Sequence, residues 1–161
     1  MRFKVVDLGR DWRGPQPIPN LSEARNTFID NLEDDEYVLF VDSDEEAPKM
    51  LLDFLSRLKP QYPCYATYIF DVATGYVWRK SNLLSNKVKL IRHPHEIAVM
   101  RNPYRRLRRD EVGLIDIPVI HNHPKTKKSS YKQPPWYATR VYRLLVVVFR
   151  IRDMIREALK S

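Results

Sequence analysis

A continuous apolar run at residues 37–41, bounded by charged residues on both sides, is the most distinctive pattern in the chain. Its β-branched and aromatic members are typical of a strand that a mostly parallel sheet buries on both faces. Four carboxylates follow within the five positions Asp42-Ser43-Asp44-Glu45-Glu46. Because ligands in open α/β sheets bind beyond the carboxyl ends of the strands, Asp42 and Asp44 are predicted to lie at a ligand site.

Apolar spacing predicts further helices and strands on either side of this run. The predicted helices are residues 21–32, 47–58 and 136–159, and the predicted strands are residues 3–8, 65–70, 76–79, 88–92 and 115–120. Asn20 is predicted to cap the first helix, with Glu23 closing a capping box, and Pro118 indicates that the last strand lies at a sheet edge. This order predicts an α/β fold with a mixed, mainly parallel sheet and a long C-terminal helix.

The length of 161 residues fits one domain, predicted here as residues 1–135, followed by a basic amphipathic helix at residues 136–161. A single cysteine, Cys64, excludes an internal disulfide. The N-terminus lacks the apolar region of a signal peptide, and the longest strongly apolar run, residues 144–149, is too short to span a bilayer. A cytoplasmic protein is therefore expected.

The net charge of +8 is unevenly distributed along the chain. Residues 1–100 hold 13 Lys/Arg and 15 Asp/Glu, a net charge of −2, whereas residues 101–161 hold 15 and 5, a net charge of +10. This basic third, residues 101–161, predicts an anionic neighbour: a phosphate-bearing ligand, nucleic acid or an anionic lipid surface. Its C-terminal helix is expected to pack on the domain, to lie on the inner face of a membrane, or to form a homodimer.

The carboxylates of Asp42 and Asp44 are hard oxygen donors that suit Mg²⁺ or Mn²⁺ carrying a phosphorylated ligand. An acidic loop that simply follows a core strand is the alternative interpretation. Three stretches bear on this choice: Ser22-Glu23-Ala24-Arg25-Asn26, residues 37–46, and Val88-Lys89-Leu90-Ile91-Arg92 with the later Ile117-Pro118-Val119-Ile120-His121-Asn122-His123. In this order they resemble the "ARN" helix start, the strand with D-x-D-E, and the "RLFR" and "I-x-H" strands of the family 2 glycosyltransferases. The lipopolysaccharide-core glucosyltransferase branch is the most similar.

The resemblance covers most of residues 20–125 and implies a Rossmann-like GT-A domain. It implies metal-dependent transfer of a sugar from a UDP- or GDP-sugar to a glycan, lipid-linked or protein acceptor. Asp42 and Asp44 would hold Mn²⁺ or Mg²⁺ and, through it, the donor diphosphate, and His121 or His123 would complete this site. The further donor-site residues are Asp7, Arg25, Ser43 and Arg92. The general base that an inverting transferase requires would be Glu96, or else Asp110 or Glu111.

The chain departs from the family at its front, where one predicted strand stands in place of a longer nucleotide-binding unit. Either Asp7 lies on a compressed form of that unit or the unit is absent. Three alternatives therefore stay open: a degenerate transferase that binds without catalysis, a nucleic-acid-binding protein that uses residues 101–161, and a phosphohydrolase of the haloacid-dehalogenase type. The last would use Asp42 as nucleophile and Asp44 as acid/base, but Glu46 departs from its pattern.

Overall fold

The structure is a computed structural model that describes residues 1–72, 75, 77–92, 97–101, 105–122 and six single positions between 144 and 158. Within these residues, nine strands and three α-helices have defined bounds. The strands are β1 (Arg2–Asp7), β2 (Glu36–Val41), β3 (Glu45–Glu46), β4 (Cys64–Asp71), β5 (Val77–Ser85), β6 (Val88–Arg92), β7 (Ile97–Arg101), β8 (Arg105–Arg106) and β9 (Val112–His121). The helices are α1 (Leu8–Asp11), α2 (Leu21–Asp30) and α3 (Lys49–Arg57).

Six strands form one mixed sheet in the order β1-β2-β5-β4-β9-β3. β1 runs parallel to β2 and β4 parallel to β9, whereas the β2–β5, β4–β5 and β3–β9 pairings are antiparallel. All six residues of β2 are buried, which confirms the prediction of a strand covered on both faces. Because β1 and β2 are parallel neighbours, Asp7 pairs with Val41 and both strands end at the same edge.

The predicted fold class, a Rossmann-like α/β domain with a mainly parallel sheet and a long C-terminal helix, is wrong. The described chain is 44% strand and 28% helix, and two of the five pairings in the large sheet are parallel. Only five residues separate β4 from β5, enough for a hairpin but too few for a crossover to a parallel neighbour. No long C-terminal helix is among the elements that have defined bounds in the described chain.

The large sheet separates two apolar cores. On one face, Phe40 of β2 packs against α2, where its ring meets that of Phe28 edge to face. On the other face, Leu39 packs with Leu51 and Leu55 of α3. Successive side chains of a strand point to opposite faces, so alternate residues of β2 serve different cores. This explains why the run at residues 37–41 is apolar throughout.

A second, antiparallel sheet has the order β6-β7-β8 and is joined to α2. The Asn26 Nδ2 donates to the Leu90 carbonyl at 2.8 Å, and the Leu90 amide donates to the Asn26 Oδ1 at 2.9 Å. Lys89 and Asp30 form an ion pair beside this contact. α2 therefore lies on the large sheet and also holds the small one.

The prediction that Pro118 marks an edge strand holds only locally, because β9 lies between β4 and β3, but the two-residue β3 pairs with Ile120 and His121 and not with Pro118. The pairing of β9 with β4 passes from Thr67↔Ile115 to Ile69↔Val119. Three residues of β9, Pro118 among them, thus lie opposite one residue of β4. Proline lacks the N–H of a regular ladder and is tolerated at such irregularities.

Most of the predicted C-terminal helix at residues 136–159, like the predicted domain boundary after residue 135, lies outside the described residues. Six positions of this segment are described, each with helical backbone and an exposed side chain. They are Leu144, Val147, Val148, Ile151, Ile155 and Ala158. Over the described part of the chain, no helix has both the length and the apolar character needed to cross a lipid bilayer.

Candidate functional site

The turns after β1 and β2 lie together at one edge of the large sheet. The Asp7 carboxylate accepts a hydrogen bond from the Gly9 amide at 2.8 Å, and the Asp7 amide donates to the Asp11 carboxylate at 2.8 Å. Asp7 is thus the N-cap of α1. A Cβ placed on Gly9 would lie 3.4 Å from the Cβ of Ser43, so the two turns are in contact.

A tight turn fixes the D-x-D segment after β2. The Glu45 amide donates to the Asp42 carbonyl at 2.8 Å, and the Asp42 amide donates to the Glu45 carboxylate at 2.8 Å. The Glu45 side chain is only 2% exposed, whereas that of Asp42 is 47% exposed. Glu45 is therefore a buried anchor of the turn, and Asp42 is the carboxylate presented at its surface.

Two protein cations bind the Asp42 carboxylate. Its Oδ1 accepts from the Arg25 Nη2 at 2.7 Å, and its Oδ2 accepts from the Lys80 Nζ at 2.6 Å. Lys80 also donates to both carboxylate oxygens of Glu45 at 2.8 Å. We call these four residues, Arg25, Asp42, Glu45 and Lys80, the charge cluster. Bonds between charged partners are about twice as strong as neutral ones, so the cluster holds α2, β5 and the turn after β2 together.

The surroundings of Arg25 fix the position of its side chain. It lies in the second turn of α2, whose predicted cap is confirmed because the Asn20 side chain accepts from the amides of Ser22 and Glu23. Its side chain is 10% exposed, and its guanidinium lies 5.4 Å from the centroid of the Phe40 ring. The Nε of Arg25 is buried and has no hydrogen-bond partner among the residues that the structure describes. Arg25 thus retains an unused donor beside Asp42.

The pairing of β3 with β9 brings Asp44 to His121. The Asn122 amide donates to the Asp44 carbonyl at 2.7 Å, and the His121 Nε2 lies 3.1 Å from the Asp44 Oδ2. The other ring nitrogen, Nδ1, lies 3.6 Å from the Asp71 Oδ2. Asp44 and His121, predicted to share a site, are therefore in contact, and His121 lies between two carboxylates.

These residues do not fit the divalent cation that the D-x-D pattern predicted. Both oxygens of Asp42 already accept hydrogen bonds from protein cations. His121 turns its two ring nitrogens to different carboxylates, on different sides of the ring, so Asp44 and Asp71 do not converge with it on one point. Within the described ranges, no group of three or more His, Cys, Asp or Glu side chains is arranged to hold a metal ion.

A cleft of about 810 Å³ lies beside Arg25, between the two sheets. Leu84 and Leu114 line it from the large sheet, and Leu90 and Val99 from the small one. Of the described residues that line the cleft, six are Arg or Lys and none is Asp or Glu. The six are Arg25, Arg79, Lys80, Arg106, Arg108 and Arg109. A cleft with one sign of charge and apolar walls concentrates the field within it.

Asn82 of β5 also lines the cleft and is 1% exposed. Its Oδ1 accepts from the Thr67 Oγ1 at 3.0 Å, while its Nδ2 is buried and has no hydrogen-bond partner among the described groups. Burying an N–H group without a partner costs roughly 1–3 kcal/mol. Two residues that line the cleft, Arg25 and Asn82, thus each carry a buried donor that no described group satisfies.

Of the predicted general bases, Asp110 and Glu111 lie in a 3₁₀ turn just before β9. The Asp110 carboxylate is exposed and accepts from Arg108 at 3.2 Å. Glu111 accepts from Arg105 at 2.5 and 2.6 Å and from Arg101 at 2.9 Å. The Arg105 hydrogen bonds hold the pKa of Glu111 far below its usual range. A carboxylate so stabilised is a weak proton acceptor, and Glu111 instead anchors β7 and β8.

The structure does not describe the side chains of three predicted site residues. Glu96 and His123 lie outside the described residues, and of Arg92 the structure describes the backbone alone, in β6. Their roles stay predictions.

Sequence reasoning missed Lys80 and Asn82, because the strand that carries them was predicted to end at residue 79. In fact β5 continues to Ser85. A register shift in the β4–β5 pairing interrupts the strand beside Asn82, because Leu83 pairs with Tyr65 and Ser81 with Ala66. The two-residue alternation of a regular strand therefore does not extend from Leu84 to Lys80, and no local pattern indicated that Lys80 and Asn82 lie at the site. Asp71 was missed for a different reason, because only the β4–β9 pairing brings it to His121.

Comparisons with known proteins add no family to this description. The chain matches no protein-family model and no curated protein. The glycosyltransferase resemblance therefore rests on the quoted motifs. The site itself is a cation-lined cleft beside a cluster of paired charges.

Proposed function

We propose that the protein is a glycosyltransferase that takes a sugar from a UDP- or GDP-linked donor and passes it to an acceptor hydroxyl. The observation that carries the proposal is the contact of Arg25 with Asp42 at the side of a cleft whose described lining holds six cations and no carboxylate. Because proteins of one fold can have many functions, the site and not the fold supports the proposal. The diphosphate common to all such donors is the anion that these charges suit.

In the transfer, the acceptor hydroxyl oxygen forms a bond to the anomeric carbon of the sugar as the bond from that carbon to the diphosphate oxygen breaks. The leaving nucleoside diphosphate gains negative charge, and preorganised cations stabilise such charge. Arg25 is suited to this role because Asp42 and Phe40 fix its orientation. The hydroxyl proton goes to a general base, for which Glu96 stays the first candidate because arginines engage Glu111.

A glycan or lipid-linked acceptor, presented at the inner surface of a membrane, belongs to the same proposal. Its support is the net charge of +10 carried by residues 101–161. Basic segments are attracted to anionic lipid surfaces.

Calorimetric titration of UDP, GDP and their sugar conjugates tests the proposal. Arg25→Gln should weaken binding at least about tenfold, the size of a lost charge-assisted hydrogen bond. Arg57→Gln is the matched control, because Arg57 lies on α3, on the other face of the large sheet. Release of nucleoside diphosphate from a bound donor then measures transfer or hydrolysis. Binding without release would indicate a degenerate transferase, and no binding of any nucleotide at millimolar concentration would contradict the proposal.

A further inference from the structure

The charge cluster bears on how a diphosphate is held in the cleft. In the arrangement that the D-x-D motif implies, a carboxylate binds a divalent cation and the cation binds the diphosphate. Here Arg25 and Lys80 occupy both oxygens of Asp42. A divalent cation at this carboxylate would lie beside two like charges, which repel it.

We propose that the cleft binds the diphosphate directly, through Arg25 and Asn82 and without a divalent cation, and that Asp42 serves to hold Arg25. This inference rests on the proposed function, because it concerns the diphosphate of the same donor. It assigns Asp42 a positioning role in place of the metal-binding role that the motif predicted.

Arg25 has donors left for a phosphate oxygen. A guanidinium carries five N–H donors in a planar fork that fits phosphate. Asp42 accepts from Nη2, and the buried Nε has no partner among the described groups. Phe40 lies under the guanidinium plane and limits its rotation. The guanidinium of Arg25 is therefore fixed, with one edge hydrogen-bonded to Asp42 and an unused donor, Nε, on another edge.

Asn82 supplies the second buried donor, its Nδ2. The Thr67 Oγ1 donates to the amide oxygen at 3.0 Å, which leaves Nδ2 as the amide group without a partner among the described groups. In the proposed complex the cleft lining moves so that phosphate oxygens reach the Arg25 Nε and the Asn82 Nδ2, which no described protein group satisfies.

Lys80 has a different task from Arg25. Its Nζ donates to three carboxylate oxygens, one of Asp42 and two of Glu45. It thereby offsets the negative charge of two carboxylates that would otherwise repel a diphosphate. Its side chain is 18% exposed, so little water screens this effect.

The test is calorimetric titration of inorganic pyrophosphate into the full chain, once in EDTA and once in MnCl₂, with MnCl₂ alone titrated as a blank. We expect binding in EDTA with an affinity within about threefold of that in Mn²⁺, and a loss of at least about tenfold in Arg25→Gln. Asp42→Asn keeps an oxygen that can accept from Arg25 but removes a negative charge. We expect this variant to bind pyrophosphate as tightly as the native chain or more tightly.

Binding that requires Mn²⁺ and is lost in Asp42→Asn would overturn the inference and leave the proposed function standing. Pyrophosphate binding in EDTA without binding of UDP, GDP or their sugars would support the inference while the proposed function fails. No pyrophosphate binding in either buffer would overturn the inference. Thermal unfolding shows whether Asp42→Asn folds, and the comparison of EDTA with Mn²⁺ on the native chain decides the question without any variant.

Discussion

Asn82 is a buried amide whose Nδ2 has no partner within the described part of the chain. Natural sequences retain such local conflicts mainly where function requires them. Removing both partners of a buried hydrogen bond is nearly neutral, whereas removing one leaves the other unsatisfied. Thr67 and Asn82 form such a pair, which allows the stability and binding roles of Asn82 to be separated.

The double variant Thr67→Val/Asn82→Leu should keep or raise the free energy of unfolding, by up to about 2 kcal/mol, because it removes an unpaired buried donor. The same variant should bind pyrophosphate several-fold more weakly. Urea unfolding and calorimetry measure the two effects on one preparation. The single variant Asn82→Leu is the control, since it leaves the Thr67 hydroxyl without its acceptor and should be less stable than the double variant. A large loss of stability in the double variant would mean that Asn82 is a structural residue.

At the scale of elements, sequence reasoning succeeded where the determining signal is local. The apolar run of β2 and the Asn20 cap of α2 need no distant partner, and both were predicted. It failed where the outcome depends on pairing between distant strands. Pro118 lies in an irregularity that exists only because β9 pairs with β4. The sheet is mainly antiparallel because β5 inserts between β2 and β4, and no local pattern encodes that insertion.

The same contrast between local signals and the pairing of distant strands applies to the candidate site. Arg25 and Asp42 were predicted to share a site, since two short motifs carry them, and they are in contact. Lys80 reaches Asp42 across the β2–β5 pairing, so the motif could not indicate that Asp42 is already occupied. The sequence thus predicted that Arg25 and Asp42 lie together, but not that Lys80 also pairs with Asp42.

The segment from β7 to the 3₁₀ turn depends on Glu111, whose carboxylate joins Arg101 and Arg105. The hydrogen bonds from Arg105 place the pKa of Glu111 well below its ordinary value of 4.5. A carboxyl group with a lowered pKa in the folded state contributes stability above the unfolded-state pKa. That contribution is lost as the pH falls from 4.5 through the folded-state pKa, because the unfolded chain binds the proton first.

A double-mutant cycle with Glu111→Gln and Arg105→Gln should therefore show a favourable coupling free energy at pH 7 that shrinks steadily below about pH 4.5. Urea denaturation of the native chain, both single variants and the double variant at several pH values gives this quantity. Other carboxylates titrate over the same range, and the cycle cancels their contribution. A coupling that stays constant down to pH 3 would show that the Glu111–Arg105 contact is not formed in solution.

For the whole molecule, the cleft and the basic third are two candidate binding surfaces for anionic partners, and they share residues. Arg106, Arg108 and Arg109 belong to both, since they line the cleft and lie within residues 101–161. A small diphosphate would use the cleft, whereas a nucleic acid would spread over the basic third. The number of phosphate groups that contact the protein distinguishes diphosphate binding in the cleft from nucleic-acid binding by the basic third.

Salt dependence measures that number. The logarithm of the affinity of single-stranded nucleic acid falls with the logarithm of salt concentration at a slope of about −0.7 for each neutralised phosphate. Pyrophosphate brings two phosphates, so its slope in the cleft should stay shallow, on the order of −1 to −2. Titrations of pyrophosphate and of a labelled oligonucleotide over one salt series compare the two directly. Replacing Lys125, Lys127 and Lys128 by Gln should leave pyrophosphate binding unchanged, because the described cleft lining is built from other residues. A tight oligonucleotide complex with a steep slope, weakened by this triple variant while pyrophosphate fails to bind, would instead identify the protein as a nucleic-acid binder.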